Sequence, residues 1–309
     1  MVVDAPPVSA PTRQARHPLR QLLADRWAVA GGVTILVFLL VAVAAPLLSA
    51  LEGHDPYTYD TNALTGDGLP IGFGGGISTE HWFGVEPQTG RDLFAIVVHG
   101  ARTSFLVGFA ATALSILIGV VVGVTAGYFG GWYDRIVSRF IDVLFGFPWL
   151  VFVIAIGAIA PAWLPKQLLI ILVIGLFGWP GIARVIRGQT LALKQRTFVV
   201  AATALGAGPG HLLRRQYLPN LVSTIIVYST MTIPGMIGAE AALSFLGVGV
   251  PPPTPAWGRT IGEAIAWVQT DPMFLIFPGA ALFLVTLAFN LFGDGLRDAL
   301  DPRTRGTRR

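Results

Sequence analysis

Long apolar runs, separated by shorter polar stretches, dominate the chain. About 20 apolar residues cross a bilayer core as a helix, so these runs predict an all-α polytopic membrane protein with six transmembrane helices. The predicted spans are residues 28–48, 104–127, 143–160, 168–185, 221–245 and 273–292. We expect the fourth to be short, because Trp179 and Pro180 interrupt it. A cleaved signal peptide at 28–48 is disfavoured, since its flank lacks a clear cleavage site and five more runs follow.

Composition supports a membrane protein. Hydrophobic residues make up 53% of the 309 residues and charged residues 12%, against about 25% charged in soluble domains. Cysteine is absent, which excludes disulfides, thiolate metal sites and thiol nucleophiles. The net charge of +4 needs no nucleic-acid partner, because basic residues on cytoplasmic faces account for it.

Basic residues fall mainly on one side of the predicted membrane. With six spans, 17 of the 21 lysines and arginines lie on the side of both termini. Arg91, Arg102, Lys166 and Arg259 lie on the other side. Since cytoplasmic loops carry the excess of basic residues, both termini are predicted to be cytoplasmic.

An acidic segment at residues 51–100 is predicted on the opposite side. It contains seven acids and one arginine before Gly100, and it is rich in Gly, Pro and Tyr. A segment this long exceeds a tight turn, so it is expected to form an external loop that covers a pore or meets a soluble partner. A solvated loop without either role is an equally open interpretation.

Catalytic signatures are absent from the sequence. Neither lysine follows a glycine as a phosphate-binding loop requires, no zinc-protease pair of histidines occurs, and no nucleophile elbow is present. The five histidines are scattered, and most are expected to be solvated loop residues. A polytopic membrane enzyme would need several convergent polar groups at membrane depth, and the clear candidate there is Glu240 alone.

Two features inside the spans have alternative interpretations. Glu240 could line a translocation pathway, or it could satisfy a backbone group or lie at the membrane interface. Gly119, Gly123 and Gly127 recur every four residues, a spacing that favours close helix packing over a functional role.

A polar elbow lies between the fourth and fifth predicted spans, at residues 199–220. From residue 181 to residue 220 there are six basic residues and no acid. The pattern predicts a helix with small side chains, a bend at Gly206, a second short amphipathic helix from His211 to Leu218, and a stop at Pro219. Such an elbow could receive a soluble partner, or it could rest on anionic lipid.

The elbow and several other motifs resemble a known family. Ala201-Ala202, Gly206 and Leu218-Pro219 are similar to the EAA loop of ABC-importer permeases. The chain is further identified with the C-type permeases of dipeptide and oligopeptide importers by motifs in the same order as in that subfamily. These motifs are Gly90-Arg91-Asp92-Leu93-Phe94, residues 127–132, residues 240–249, Pro252-Pro253-Thr254-Pro255 and residues 290–302.

The resemblance implies a type I ABC-importer (MetI-like) permease fold and a set of partners. The chain would form half of a translocation pathway in the cytoplasmic membrane, paired with a related permease. Two cytosolic ATPase subunits would bind ATP and Mg, and an extracytoplasmic binding protein would deliver the substrate. This chain itself would carry no cofactor, no metal and no catalytic residue.

The resemblance also assigns roles to residues. The expected ATPase-coupling residues are Ala201, Ala202, Leu205, Gly206, Arg214, Arg215, Leu218 and Pro219. Glu240 is the expected pathway residue. Val200 departs from the motif, which usually has Glu there, and Gln216 replaces an aliphatic residue. The charge contact of that Glu is therefore not carried over.

The predicted organisation has four parts: a cytoplasmic tail at 1–27, the first span and external loop at 28–95, a five-helix core at 96–302 with the coupling loop at 186–220, and a basic tail at 303–309. The substrate stays open among dipeptides, longer peptides, glutathione-like molecules and nickel chelates. A non-transporting membrane scaffold is the other alternative.

Overall fold

A computed structural model describes residues 18–159, 161 and 163–300. Residues 1–17 of the predicted tail at 1–27, the end of the third span at Ala160, the last two residues of the predicted core and the predicted basic tail at 303–309 lie outside the described residues. The described residues form helices and two isolated β-bridges. The α-helices are α1 (Pro18–Ala24), α2 (Arg26–Glu52), α3 (Leu93–Phe129), α4 (Gly131–Gly146), α5 (Trp149–Ile159), α6 (Lys166–Lys194), α7 (Thr197–Ala204), α8 (Pro209–His211), α9 (Leu218–Phe245), α10 (Trp257–Ala264) and α11 (Met273–Leu300). Short 3₁₀ turns lie at Thr61–Ala63 and Ile265–Trp267, and a π-helix lies at Leu212–Tyr217.

Five helical segments in the described chain are long and apolar enough to cross a membrane. They are Arg26–Glu52, Leu93–Phe129, Lys166–Lys194, Pro209–Phe245 and Met273–Leu300. A sixth crossing exists if the bent pair Gly131–Gly146 and Trp149–Gly157 is counted as one span. The all-helical membrane architecture is thus confirmed, whereas the number of spans is five or six.

The third predicted span is not one helix. It includes only the last four residues of α4 and then α5, and these two helices meet at an angle of 79°. The break falls at Phe147, which is extended (φ −86°, ψ 133°) and precedes Pro148. A residue before proline is driven out of the helical region, which explains the break and corrects the prediction of a continuous helix over 143–160.

The fourth predicted span is longer than expected. Helix α6 runs for 29 residues and continues through Trp179 and Pro180, both of which are buried. Proline removes one helical hydrogen bond but does not end a helix whose surface is packed against a neighbour. The expectation of a short, interrupted span was wrong for this reason.

The glycine repeat of α3 lies against α6. A Cβ atom at Gly119 would be 2.0 Å from Ile182 Cγ2, and one at Gly123 would be 2.6 Å from the carbonyl oxygen of Ala183. At Gly127 it would be 2.7 Å from Thr190 Cβ. Only glycine permits this helix separation, so the predicted packing role is confirmed.

The main core joins α2, α3, α9, α10 and α11. Its buried members include Phe105 of α3, Ile237 of α9, Trp257 of α10, and Val285 and Phe289 of α11. Outside this core, α2 exposes apolar side chains such as Leu40 and Val43. An apolar outer surface is expected of helices that meet lipid or a second membrane subunit.

The segment between α2 and α3 is shorter than predicted and contains buried polar groups. It covers residues 53–92, because α3 already begins at Leu93. Asp92 caps α3 by accepting a hydrogen bond from the Ala95 amide at 2.7 Å, and its other oxygen lies 2.8 Å from Nδ1 of His81. His81 is buried, so it is not among the solvated loop residues that the sequence predicted for most of the histidines.

A buried ion pair stabilises the same segment. The Arg91 guanidinium donates from Nε to Glu86 at 2.7 Å and from Nη1 to the carbonyl oxygen of Pro253 at 3.3 Å. Burial disfavours the Arg91 cation, but Glu86 more than offsets this and raises the pKa of Arg91. The motif from Gly90 to Phe94 thus joins the start of α3 to the loop before α10.

Candidate coupling elbow and the buried glutamate

The bend of the elbow is a helix-terminating turn at Gly206. Helix α7 ends at Ala204, and the amides of Gly206 and Ala207 donate to the carbonyl oxygens of Thr203 and Ala202, each at 3.0 Å. This pair of hydrogen bonds defines a Schellman motif, which requires a left-handed residue at Gly206. Its φ of +84° meets that requirement, and glycine adopts it without strain.

The second half of the elbow continues directly into the membrane helix. Helix α8 begins at Pro209, passes through the π-helix Leu212–Tyr217, and joins α9 at Leu218. The prediction that Pro219 ends a separate helix was wrong, because Pro219 lies in the first turn of α9. The wider π turn, in which the Leu218 amide donates to Leu213, separates the proline ring from the preceding carbonyl groups.

One face of the elbow is packed against α3 and α6. Val199 of α7 and Leu212 and Tyr217 of the π segment are each at most 3% exposed. They share a cluster with Val124 of α3 and Ile186 of α6. The amphipathic pattern predicted for Leu212 and Tyr217 is confirmed, and it anchors the elbow to the ends of two spanning helices.

The other face of the elbow points away from the chain. Leu205, at the tip, is 89% exposed. Ala202 is half-buried, and the remaining predicted coupling residues are exposed: Ala201, Gly206, Arg214, Arg215, Leu218 and Pro219. A partner protein that contacts this tip would bury the apolar side chain of Leu205, which favours association.

A cavity of about 700 Å³ lies beside this tip. It lies between α7 and the end of α3, with Val200, Thr203 and Tyr128 in its lining. Lys194 also lines it and donates from Nζ to the carbonyl oxygen of Tyr128 at 2.9 Å. The position of Val200 therefore faces a concave surface at the elbow rather than the packed interior.

Two arginines next to the elbow are held by acids that sequence reasoning missed. Arg187 of α6 forms a two-pronged ion pair with Asp134 of α4, with one contact at 2.7 Å. Arg184 pairs with Asp142 of α4 at 2.7 Å. The eight-residue spacing of the two acids on an amphipathic stretch was the available signal. These pairs attach α4 to α6 and leave less positive charge for a partner.

Glu240 is enclosed by protein. It is 0% exposed, accepts a hydrogen bond from Ser104 of α3 at 3.2 Å and another from Ser244 of α9 at 2.6 Å. Ser244 in turn accepts from the Val250 amide at 3.1 Å. In this chain the carboxylate connects α3, α9 and the following loop, so its pathway role stays a prediction.

No group of three or more potential ligand side chains suited to a metal ion occurs among the described residues. The chain offers a rigid elbow on a bundle of membrane helices and no assembled reaction centre within the described part. The long apolar helices define the class of polytopic membrane proteins.

Comparison with known proteins identifies the family. Residues 115–306 match the family described as "Binding-protein-dependent transport system inner membrane component", and residues 13–70 match "N-terminal TM domain of oligopeptide transport permease C". The chain belongs to the ABC-importer inner-membrane permeases of the peptide/nickel family, as a C-type subunit. It is accordingly a multi-pass membrane permease subunit and not itself an enzyme.

Relatives match almost the whole chain. It is 39% identical over 309 residues to the "Glutathione transport system permease protein GsiD" of Shigella boydii serotype 4 and to that of Escherichia coli O157:H7, covering 99% of this chain and 97% of each relative. The same-named protein of Escherichia coli O6:K15:H31 is 39% identical over 287 residues, with coverage of 93% and 90%.

Proposed function

We propose that this chain is one half of the translocation pathway of an ATP-driven importer for small peptides, including glutathione. It pairs with a related permease, receives its solute from an extracytoplasmic binding protein, and is driven by two cytosolic ATPase subunits that bind ATP and Mg. Both termini and the elbow face the cytoplasm in this proposal, in line with the excess of basic residues on that side.

The observation that carries the proposal is the two-sided elbow. Val199 and Tyr217 fix it to the spanning helices, while Leu205 is left exposed at its tip. Burial of an exposed apolar side chain by a partner favours association, and a rigid support lowers the entropy cost of that contact. An ATPase cleft that receives Leu205 and Gly206 would therefore contact a segment that is packed against the spanning helices and moves together with them.

The path of the coupling motion follows from the helix connections. The elbow continues without a loop from Pro209 through the π segment to Phe245. When ATP binding closes the ATPase pair, a displacement of the elbow tilts α9 and, through Val199, pushes on α3 and α6. Rigid-body motion of packed helices is the expected response of a close-packed bundle.

The substrate assignment rests on the relatives. They are named as glutathione permeases, and the second matching family is that of oligopeptide permease C. Glutathione is itself a small peptide, so both names are consistent with a peptide substrate. Longer peptides and nickel chelates are the competing substrates in a transport assay.

The test uses proteoliposomes that contain the complete importer with its binding protein. We expect ATP-dependent uptake of glutathione or Ala-Ala. Leu205→Ser should lower ATPase binding and uptake about tenfold, the usual effect of truncating an interface anchor. The matched control is Leu51→Ser. Leu51 is 68% exposed and lies in the last turn of α2, away from the elbow.

Gly206→Asp tests the bend itself. It places a side chain at φ +84° and a charge at the tip, so uptake should be lost while the assembled spans persist. If Leu205→Ser and Gly206→Asp both showed normal uptake and normal ATPase binding, the assignment of the elbow as the ATPase docking site would be wrong. A native complex that binds its ATPase but moves neither these peptides nor nickel chelates would favour a scaffold.

A further inference from the structure

A second cavity, of about 690 Å³, lies at the end of the molecule opposite the elbow. It is formed by the turn after α9, by α10, and by the ends of α5 and α6. The elbow extends into the first turn of α9, whereas this cavity lies at the last turn of α9 and the residues that follow it. Because α9 is 28 residues long, about 42 Å separates the two sites along its axis.

The cavity contains a buried arginine with unused donors. The side chain of Arg259 is 8% exposed, and its Nε and Nη1 atoms are buried without a hydrogen-bond acceptor among the described residues. Glu263, one helical turn later, lies 3.3 Å from Nε, but the geometry makes an ion pair without a hydrogen bond. Two buried guanidinium N–H donors without an acceptor are costly, so we expect an acceptor to bind them in the functional protein.

Two cations and one carboxylate border the cavity: Lys166 and Arg259 on one hand and Glu263 on the other. Lys166 at the start of α6 lines the same cavity and donates from Nζ to the carbonyl oxygen of Gly157 at 2.8 Å. Arg91 is near enough to act on Arg259, but it is already satisfied by Glu86 and Pro253. Burial and the charge of Arg91 lower the pKa of Arg259, despite the opposing effect of Glu263.

The walls are well suited to a small extended molecule. Backbone from Gly247 to Pro252 forms one side, and Ile154 and Gly157 of α5 form another. A lysine and a buried arginine that border such a space provide charge-assisted donors, which bind carboxylates better than neutral groups. Its volume falls within the range of small-molecule sites, about 300–1,000 Å³.

We propose that this cavity is a subsite for a carboxylate of the transported solute, with Arg259 as the ligand-binding residue and Lys166 as its supporting cation. The solute enters from the binding protein on this side, and its carboxylate accepts from Nε and Nη1 of Arg259. The proposal rests on the function proposed above. It deepens that function by making a free carboxylate a requirement of the permease itself, separate from the selectivity of the binding protein.

The experiment compares the complete importer with variants in proteoliposomes, using Ala-Ala and its C-terminal amide at saturating binding protein. The binding protein is the same throughout, so its selectivity cancels when the carboxylate-to-amide uptake ratio is compared between permeases. Arg259→Gln should lower that ratio at least tenfold, and Arg259→Lys should retain part of it. Arg102→Gln, at an exposed arginine outside the cavity, should leave it unchanged.

Direct binding provides a second measurement that does not depend on transport. Calorimetry of Ala-Ala with the nanodisc-embedded complex, without binding protein, should show binding that Arg259→Gln weakens by the same factor and that the amide lacks. If the native complex imports Ala-Ala but Arg259→Gln preserves both the ratio and the binding, the subsite is refuted and the proposed function stands.

Two further outcomes would overturn the proposal. If Arg259→Gln weakens docking of the binding protein and preserves the ratio, the arginine serves that protein instead. If the native complex imports neither peptide nor glutathione, the proposed function itself fails and the subsite fails with it.

Discussion

The indole nitrogen of Trp257 donates a hydrogen bond to the backbone carbonyl oxygen of Val97 at 2.8 Å, joining residues 160 positions apart. Trp257 is 1% exposed and is the largest of the fully buried side chains. Its ring lies above Gly100, where a Cβ atom would be 2.8 Å from Cδ1 of the indole. This contact fixes α10, and with it Arg259, on the start of α3.

We expect Trp257→Phe to destabilise the assembled protein by about 2–4 kcal/mol, because it removes one hydrogen bond and leaves a cavity where the indole is fully buried. Gly100→Ala should cost about 1–3 kcal/mol, because the added methyl group overlaps the indole. Thermal unfolding of the complex in detergent measures both changes. Losses below about 1 kcal/mol for both variants would contradict the close contact between the indole and the start of α3.

The α3–α6 interface should be intolerant of a single methyl group. In Gly119→Ala the new Cβ would be 2.0 Å from Ile182 Cγ2, so the helices must separate or Ile182 must leave its rotamer. We expect a loss of about 1–3 kcal/mol and a lower yield of assembled complex. The measurement is thermal unfolding together with size-exclusion recovery.

Gly181→Ala in α6 is the matched control for this substitution. A Cβ atom at Gly181 meets nothing within 4 Å, so the change should gain up to about 1 kcal/mol of helix propensity. Equal effects of Gly119→Ala and Gly181→Ala would show that helix propensity, and not the close approach to Ile182, governs the response.

Asp271 predicts a pH dependence with a definite sign. It is 2% exposed, accepts from the Phe274 amide at 3.3 Å, and has one oxygen without a partner among the described residues. Burial raises the pKa of Asp271 above its usual range. Because the folded state disfavours the ionised form, this group lowers the free energy of unfolding as the pH rises through its folded pKa.

Asp271→Asn removes that titration while keeping an oxygen for the Phe274 amide. The melting temperature of the variant relative to the native complex should therefore increase between pH 4 and pH 8. Asp67→Asn, at an exposed acid in the same outer region, is the control and should not show this trend. A parallel pH profile for native protein and Asp271→Asn would contradict the assignment.

The sequence predicted the features that follow from local periodicity. Apolar runs located the membrane helices, and the glycine spacing identified the packed face of α3. The amphipathic pattern that includes Leu212 and Tyr217 identified the buried side of the elbow. These are properties of short segments, which helical geometry converts directly into a face or a length.

What the sequence did not reveal depends on contacts between distant segments. Pro180 and Pro219 were both taken as helix breaks, yet packing retains one inside α6 and a π turn accommodates the other. Pro148 does coincide with a break, so proline alone did not decide the outcome. The Trp257 contact and the unsatisfied donors of Arg259 arise only when α10 is placed against its neighbours.

Val200 provides the sharpest test of how this elbow differs from its family. It is 54% exposed and lines the cavity of the elbow, at the position where the EAA motif that this elbow resembles usually has a glutamate. A partner cleft suited to valine would have to bury an unpaired carboxylate if glutamate were introduced, and burying a charge without a partner is costly. We expect Val200→Glu to weaken ATPase binding at least tenfold, with the melting temperature unchanged because the position is exposed.

Val200→Ala is the control for lost volume and should bind nearly normally. Tighter ATPase binding by Val200→Glu would instead mean that the cleft has kept a basic partner for the missing carboxylate.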